Sequence, residues 1–426
     1  MRRRHTALAA AMSLGLLTAC GGDGGSGSGD GASGATLELW VMEGTYPDTG
    51  SYFEDLKAAF EEETGARLNY QLVPWDEAHD KFTTAAAGDT LPDVSEIGTT
   101  WVPEFADAAI VADMSDWIED DGLSGDLVEG LQQAGTVDGQ LYGMPWYAGI
   151  RALFYRADVF EEHGLEPPTT WDELLEVGLE LKELEPDMIP YPVPGSSEHS
   201  FYPYLWGAGA EIAVEDGDGW TSTVNSPEAV EGITFFTELA TEHGLSVAAA
   251  NTWTEADSLQ SFQDGQAAMI VNGAWTVGNL LNEDESWDGK FGVLPMPGKD
   301  SGISPSFMGG SLVSVIEGSS EPELAWELVK LMTTGDFADR WSEETGFFPG
   351  QQSLLAEYSA SDDPYVAPFA EQLSEGGKLL PVTEKFGAVQ AEQVVQQMLL
   401  AILSGNKDVQ TAADDAAAAM DRIFQE

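Results

Sequence analysis

The spacing of apolar and polar residues predicts a strand followed by a helix from residue 36 onward. Residues 36–42 alternate apolar and polar side chains, as a half-buried strand does. Phe53, Leu56 and Phe60 then recur at helical spacing until Gly65, which is typical of a helix end. The first segment after residue 35 is therefore a strand–helix unit.

The same patterns continue to residue 97. Residues 67–73 predict a second strand, residues 75–87 a second helix and residues 92–97 a third strand. This order predicts parallel strands joined by right-handed crossovers. Ligands of such open sheets bind beyond the carboxyl ends of the strands. The candidate ligand contacts there are Glu43, Asp76, Glu96 and Thr99, and for each the alternative is an ordinary solvent-facing residue.

A long extended stretch begins a different unit. Residues 142–156 are rich in aromatic side chains and have no turn signal after Gly149, as expected for a strand that crosses between two lobes. Thr170 and Glu173 form a capping box that opens a helix. The predicted apolar side of that helix consists of Leu174, Leu175, Leu179 and Leu181.

The N-terminal residues have the features of an exported lipoprotein. Arg2, Arg3 and Arg4 precede a short apolar run at residues 7–17, and the sequence Leu-Thr-Ala-Cys ending at Cys20 resembles the lipobox of bacterial lipoproteins. The resemblance implies a signal peptide at 1–19, lipidation of Cys20 and attachment to the outer face of the cell membrane. An ordinary signal peptide with a chance cysteine is the alternative. Residues 20–35 continue as a Gly/Ser-rich linker.

Length and charge narrow the class of protein. The residues after position 35 exceed the size at which one hydrophobic core stops growing, which predicts two lobes. The net charge is −57, and loss of three of the 17 basic residues with the signal would bring it to −60. The electric field of so negatively charged a protein repels nucleic acid and anionic lipid. With a single cysteine, no internal disulfide can form.

Several segments together resemble the extracellular solute-binding proteins of carbohydrate ABC importers, the group that includes the maltose-binding protein. The resemblance covers residues 36–426. The segments that carry it, besides the lipobox and the linker, are residues 142–156, the sequence Pro-Pro-Thr-Thr-Trp-Asp-Glu-Leu at 167–174, residues 265–275, Phe-Met-Gly-Gly at 307–310 and residues 311–332.

The resemblance implies an α/β architecture of two lobes, each a mainly parallel sheet flanked by helices, with the ligand in the cleft between them. Lobe 1 is expected at 36–147 plus 308–345, and lobe 2 at 148–307 plus 346–426. The expected ligand is a neutral di- or oligosaccharide, and the expected partners are the permease subunits of an importer. A monomer without cofactor, attached to the membrane only through lipid, is implied.

Sugar chemistry suggests further site residues. Aromatic rings stack on the C–H face of a sugar, whereas planar polar groups bind its hydroxyls. Among the aromatic candidates, Trp275 resembles the family tryptophan that stacks on the sugar, and a core tryptophan is the alternative for it and for Trp146 and Tyr147. Arg151 either binds ligand hydroxyls or pairs with a carboxylate. The remaining expected cleft residues are His199, Trp206, Gly309 and Gly310.

Enzymatic chemistry has no matching motif in the sequence. Neither Gly-x-Ser-x-Gly nor His-Glu-x-x-His occurs, and the five histidines are scattered, so catalytic and metal sites are not predicted. Two open alternatives are a tethered glycoside hydrolase, which needs only two carboxylates in a sugar cleft, and a tethered sensing or adhesion module. Maltose-like, cellobiose-like, chitobiose-like and trehalose-like ligands all remain open.

Overall fold

The computed structural model describes residues 34–44, 46, 49–88, 90–217 and 219–425. The predicted lipidation site Cys20, the signal peptide and nearly all of the linker lie outside these residues. The strands are β1 Thr36–Glu43, β2 Arg67–Pro74, β3 Val94–Gly98, β4 Thr136–Val137, β5 Gln140–Leu141, β6 Met144–Tyr155, β7 Ala213–Asp216, β8 Gly219–Ser222, β9 Met269–Gly273, β10 Gly292–Leu294, β11 Ser306–Val315, β12 Phe348–Pro349 and β13 Gly377–Lys378.

Helices cover the remaining regular segments. They are α1 Tyr52–Thr64, α2 Trp75–Gly88, α3 Val102–Asp107, α4 Ser115–Asp120, α5 Glu129–Gly135, α6 Ala157–His163, α7 Trp171–Leu184, α8 Glu198–Gly207, α9 Pro227–Thr241, α10 Glu255–Gln263, α11 Trp275–Glu283, α12 Pro322–Thr333, α13 Gly335–Thr345, α14 Gln352–Ser359, α15 Ala367–Gly376, α16 Phe386–Ala391, α17 Val394–Leu403 and α18 Val409–Gln425. Short 3-10 turns occupy Ser124–Asp126, Ala248–Thr252 and Glu285–Trp287.

The first sheet has the strand order β2-β1-β3-β11-β6. β1 pairs in parallel with β2 and with β3, which confirms the predicted strand–helix alternation. β11 is antiparallel to both β3 and β6, so it alone runs against the other four strands of this set. The carboxyl ends of β1, β2 and β3 therefore lie at one edge of the sheet.

Two long strands change partners along their length. β6 pairs with β11 from Met144 to Ile150 and then with β9 from Arg151 to Tyr155. β10 also pairs with the last part of β6, and β13 with the start of β11. From Arg151 onward β6 lies antiparallel to both of its neighbours, β9 and β10, so β6 is the strand of opposite direction in this part of the sheet. This change of partner supports the predicted crossing of residues 142–156 between lobes, and both the crossing and the lobe boundaries stay predictions.

The apolar patterns mark buried faces, with one exception. Phe53, Leu56 and Phe60 of α1 are buried, as their spacing predicts. In α7, Leu174 and Leu181 are buried, whereas Leu179 is 39% exposed. Leu179 follows Leu174 by five residues, which places it about 140° around the helix and off the buried face. Including it in the apolar side was wrong.

The capping pattern of α7 is also shifted by one residue. The Thr170 hydroxyl accepts a hydrogen bond from the Glu173 N–H at 3.2 Å, as predicted. The Glu173 carboxylate, however, accepts from the N–H of Thr169 at 2.8 Å and from its hydroxyl, rather than from Thr170. The bonds from the Glu173 and Thr169 N–H groups satisfy backbone donors at the start of the helix.

Candidate functional site

A cavity of about 610 Å³, called the cleft below, lies over the two crossing strands. Alternate residues of a strand project to the same face. The cleft is accordingly lined by alternate residues of each strand, namely Tyr147, Gly149 and Arg151 of β6 and Phe307, Gly309 and Ser311 of β11, and Gly310 of β11 lines it as well. The partner change along β6 therefore occurs directly beneath this cavity.

One wall of the cleft comes from the carboxyl ends of β2 and β3. Trp75, at the start of α2, and Trp101, just after β3, lie with ring centroids 5.3 Å apart. Gly98 leaves room for this pair, because a Cβ there would make a tight contact of 3.3 Å with the Trp75 ring. His79 donates to Glu104 across 2.9 Å, and this hydrogen bond raises the pKa of His79 above its ordinary value. The wall thus offers two indole rings and an imidazole.

A second aromatic group, which contains Trp275 and Phe347, also lines the cleft. Trp275 and Phe347 lie with centroids 5.2 Å apart, and Phe347 stacks on Tyr147 at 4.2 Å. The guanidinium carbon of Arg151 lies 4.8 Å from the centroid of Trp275 and 5.1 Å from that of Phe307. Cation–π contacts at such distances hold the guanidinium of Arg151 against the rings of Trp275 and Phe307.

Arg151 is paired with Glu255, as one of the two alternatives from the sequence expects, and a role in binding ligand hydroxyls stays a prediction. The guanidinium donates two hydrogen bonds to the carboxylate, at 3.0 and 3.1 Å, and lies 3.3 Å from Nδ1 of His199. Burial alone would raise the pKa of Glu255, but the charge of Arg151 and the nearby His199, 3.8 Å from the carboxylate, outweigh it and hold that pKa well below its ordinary value. The cleft wall therefore holds an ion pair rather than a free cation.

Another carboxyl group lies beneath the cleft floor. Glu96 is fully buried and accepts hydrogen bonds from the Met42 N–H at 2.7 Å and from the Tyr147 hydroxyl at 2.5 Å. The Ser311 hydroxyl donates to the Tyr147 hydroxyl at 3.1 Å. Burial raises the pKa of Glu96 to about 7, against the opposing effect of these hydrogen bonds. Glu96 therefore contacts a cleft residue without lining the cleft.

Another part of the cleft lining comes from α16 and the residues that follow it. Gln390 donates to Glu198 at 2.8 Å, and Gln393 adopts a left-handed backbone conformation with φ 52°. Such a conformation is uncommon for a residue other than glycine, and it is held here where the chain turns into α17 beside the cavity.

A smaller polar cavity of about 310 Å³, called the side chamber below, adjoins the cleft. The two cavities share His199, Glu255 and Trp275 in their walls. The other side-chamber walls carry hydroxyl and amide groups from Ser196, Thr254, Asn272, Asn279 and Gln396. Together the cavities offer more room than a single sugar ring needs.

Many of the predicted site residues come together in the cleft. Those that line it are Thr99, Tyr147, Arg151, His199, Trp275, Gly309 and Gly310. Gly310 has a packing reason as well, since a Cβ there would lie 2.2 Å from the Tyr147 carbonyl oxygen. Its lack of a side chain permits the pairing of β11 with β6, besides any close approach of a ligand.

The other predicted residues lie elsewhere. Trp146 is fully buried and stacks on Trp341 at 4.4 Å, because successive strand residues face opposite sides. Trp206 lines a different cavity, of about 580 Å³, beside Lys378. Glu43 ends β1 without lining the cleft. The expected cleft positions of Trp146, Trp206, Glu43 and Glu96 are corrected accordingly. Asp76 lies in the first turn of α2, and its side chain is outside the described atoms.

Sequence reasoning also missed several lining residues. Trp75 and Trp101 directly follow β2 and β3, at the strand ends where ligand contacts were predicted. Choosing the aromatic residues at those strand ends would have found both. Glu255 has only a local signal, the capping box of Thr254 and Asp257 that starts α10. Nothing in that local pattern indicates that its carboxylate meets Arg151.

Within the described residues, no cluster of three or more histidine, cysteine or acidic side chains is arranged to hold a metal ion. None of the described helices is long and apolar enough to cross a membrane.

Comparisons with known proteins agree on one family. Residues 43–336 match the family model described as bacterial extracellular solute-binding protein. The diacetylchitobiose binding protein DasA of Streptomyces coelicolor is 27% identical over 93% of this chain and 92% of its own length. An arabinooligosaccharide-binding protein of Halalkalibacterium halodurans is 25% identical over 86% of this chain and 82% of its own.

Solved structures share the fold. A solute binding protein of an ABC transporter from Thermotoga lettingae, bound with alpha-D-tagatose, superposes with a TM-score of 0.81 at 26% identity, covering 92% of this chain and 100% of that one. A maltose-bound protein of T. maritima gives a TM-score of 0.78 at 25% identity, covering 91% and 100%. These matches confirm the predicted two-lobed, type II α/β fold.

Proposed function

Because this chain belongs to the bacterial extracellular solute-binding protein family, we propose that it is a receptor that binds a neutral di- or oligosaccharide in the cleft and delivers it to an ABC importer. The observation that carries the proposal is the composition of the cleft. Indole and phenyl rings line it, and its buried cation is already paired with a carboxylate. Such a site suits a ligand with apolar ring faces and no net charge.

The size of the site favours more than one sugar ring. The cleft and the side chamber meet at Trp275, so one ring of a ligand can stack between the aromatic walls while the next reaches the amides and hydroxyls of the chamber. Relatives described as binding diacetylchitobiose and arabinooligosaccharides support this ligand class. Sugar type and linkage are left to experiment.

The receptor is further proposed to be held at the outer face of the cell membrane through Cys20. A tethered binder stays near its importer at high effective concentration. The lipobox-like residues support this part of the proposal, together with the extracellular location typical of the family.

Calorimetric titration of residues 21–426 with maltose, cellobiose, diacetylchitobiose and trehalose tests the proposal. At least one sugar should bind saturably, raise the melting temperature and be recovered intact by chromatography. Recovery of cleaved sugar would instead establish a hydrolase, and no binding by this or a wider panel would contradict the receptor function. As matched variants, Trp275→Ala should weaken binding, whereas Trp206→Ala, which alters the separate cavity, should not.

A further inference from the structure

The helix α16 approaches α3 more closely at Gly387 than a side chain would allow. A Cβ at Gly387 would lie 2.7 Å from Oε2 of Glu104. Ordinary van der Waals contact begins at 3.4 Å, so a side chain here lacks the difference between 3.4 and 2.7 Å, about 0.7 Å. Gly387 lies within a helix and has no positive φ, so its backbone conformation does not call for glycine. The close approach to Glu104 is what does.

The two helices belong to different hydrophobic cores. Phe386 and Val389 of α16 pack in a core together with residues of α8, α9, α17 and α18. Val102 and Phe105 of α3 pack in another core with residues of α2 and of β1, β2 and β3. The approach of α16 to α3 is therefore a contact between two separately packed units, which the predicted boundaries assign to lobe 2 and lobe 1.

Both units contribute accessible residues to the cleft. These residues, all of them partly or fully exposed, are Trp75, His79 and Trp101 from the unit of α3, and Gln390, Ala391 and Gln393 from α16 and the residues after it. A ligand in the cleft can contact groups from both units. The distance between α16 and α3 then decides whether both sets of contacts can be made at the same time.

Glu104 is held in place by His79. Its Oε2, the atom nearest to Gly387, also lies 2.9 Å from Nε2 of His79. The imidazole is packed in turn against Trp101 and Phe105, with ring centroids 5.4 and 5.7 Å away. The carboxylate could make room for a side chain at position 387 only by giving up its hydrogen bond to His79.

We propose that Gly387 is a positioning residue, whose lack of a side chain lets α16 approach Glu104 closely enough for both lobes to contact the same sugar. The inference rests on the proposed function, since it concerns how the same cleft binds its ligand. With a Cβ at position 387, α16 is displaced from α3 by about 0.7 Å. A hydrogen bond of about 2.9 Å that is lengthened by this amount is no longer a hydrogen bond.

The first test compares two glycine-to-alanine variants by calorimetric titration with maltose, cellobiose, diacetylchitobiose and trehalose. For a sugar that binds the unaltered protein, Gly387→Ala should lower the affinity about tenfold, as expected when one or two hydrogen bonds are lost. The melting temperature of ligand-free Gly387→Ala should stay the same or rise, because alanine favours a helix more than glycine does. Gly125→Ala is the matched control, since a Cβ there would meet nothing within 4 Å, and its affinity should not change. An affinity of Gly387→Ala within about twofold of the unaltered protein would overturn the proposal.

The second test asks whether the size of the Glu104 side chain is the cause. In a Glu104→Ala background, Gly387→Ala should cost little affinity, because the carboxylate that limits the approach is gone. In a Glu104→Gln background, where the side chain keeps its length, the loss should remain. Equal losses in both backgrounds would refute the role of the Glu104 contact.

The third test follows Glu104 without any ligand. The hydrogen bond to Glu104 raises the pKa of His79, which an NMR titration can measure, with its signal assigned from its loss in His79→Gln. Glu104→Ala should lower this pKa toward its ordinary value, whereas Gly387→Ala should leave it raised, because α16 moves and Glu104 does not. A lowered pKa of His79 in Gly387→Ala would show that the carboxylate turns aside, and would refute the proposal.

The outcomes separate this inference from the receptor function. Sugar binding that is unaffected by Gly387→Ala would refute the positioning role and leave the receptor intact. No binding by the unaltered protein, across a wide panel of sugars, would refute the receptor function and with it the ligand part of this inference. The titration of His79 reports in every case which of the two groups moves.

Discussion

Replacement of Glu255 by glutamine should destabilise the fold through the charge that it leaves on Arg151. The Arg151 side chain is 9% exposed and that of Glu255 is 21% exposed. Breaking a buried ion pair costs roughly 3 to 5 kcal/mol, because the remaining charge stays desolvated. Water reaches part of Glu255 and the new amide oxygen can still accept one hydrogen bond, so the expected loss is about 2 to 3 kcal/mol.

Urea unfolding at pH 7.5 of the unaltered protein, Glu255→Gln, Arg151→Met and the double variant measures this loss. Removing both charges should be less harmful than the sum of the single changes, with a coupling free energy of about 2 kcal/mol. If the single effects add to within about 0.5 kcal/mol, the reasoning from an isolated buried charge is refuted. The calorimetric titration with sugars then separates the loss of folding from the loss of binding.

The same pair gives a pH dependence whose sign follows from its geometry. Arg151 and His199 lower the pKa of Glu255 below its unfolded value of 4.5 despite burial. The stabilisation is therefore complete above about pH 4.5 and is lost as the pH falls from there toward the folded pKa. The difference between the unaltered protein and Glu255→Gln should shrink across that acidic window, and a difference that stays constant to pH 3 would contradict the assignment.

Three further predictions follow from the structure. Trp275→Ala should weaken sugar binding by about 1 to 3 kcal/mol in calorimetric titration without unfolding the protein, and unchanged affinity would make Trp275 a core residue only. With a net charge of −57, the melting temperature should rise from low to molar NaCl, and a flat or falling calorimetric trend would contradict this. Because burial raises the pKa of Glu96 from 4.5 to about 7, stability should fall by about 3 kcal/mol as pH rises through that interval. Urea unfolding should show this fall to be absent from Glu96→Gln.

Local patterns in the sequence were sufficient for the elements and for part of the site. The alternation at residues 36–42 and the helical spacing of Phe53, Leu56 and Phe60 depend only on near neighbours, and both were confirmed. The aromatic run without a turn at residues 142–156 likewise predicted one long strand, and the structure has it at Met144–Tyr155. Tyr147, a predicted ligand contact, belongs to this strand and lines the cleft.

Which face of an element meets the cleft was harder to predict. Trp146 and Tyr147 are adjacent, and both faces of β6 are buried, so apolar pattern cannot tell the cleft side from the core side. Trp206 follows His199 by seven residues, which keeps it on the same side of α8 but about 10 Å further along the axis. That distance carries it into the separate cavity beside Lys378.

Glu255 and Glu96 show why single residues resist assignment in so acidic a chain. Among 74 acidic residues, a carboxylate that pairs with Arg151 has no distinguishing neighbour in sequence, and only the fold brings α10 to β6. The two buried carboxyl groups nevertheless have opposite electrostatic surroundings, one facing a guanidinium and the other only hydroxyls and a backbone N–H. Their pKa values move in opposite directions for that reason.

The paired charge in the cleft wall has a consequence for how a ligand is selected. A free guanidinium among aromatic rings would attract anions, and in a chain of net charge −57 it would be a rare positive site. Pairing with Glu255 cancels that attraction while leaving the guanidinium plane against Trp275 and Phe307. Arg151 then contributes shape and ring orientation rather than charge. For the proposed sugar ligand, selection in this cleft would accordingly depend on ring stacking and on the pattern of uncharged donors and acceptors, which are the features by which uncharged sugars differ from one another.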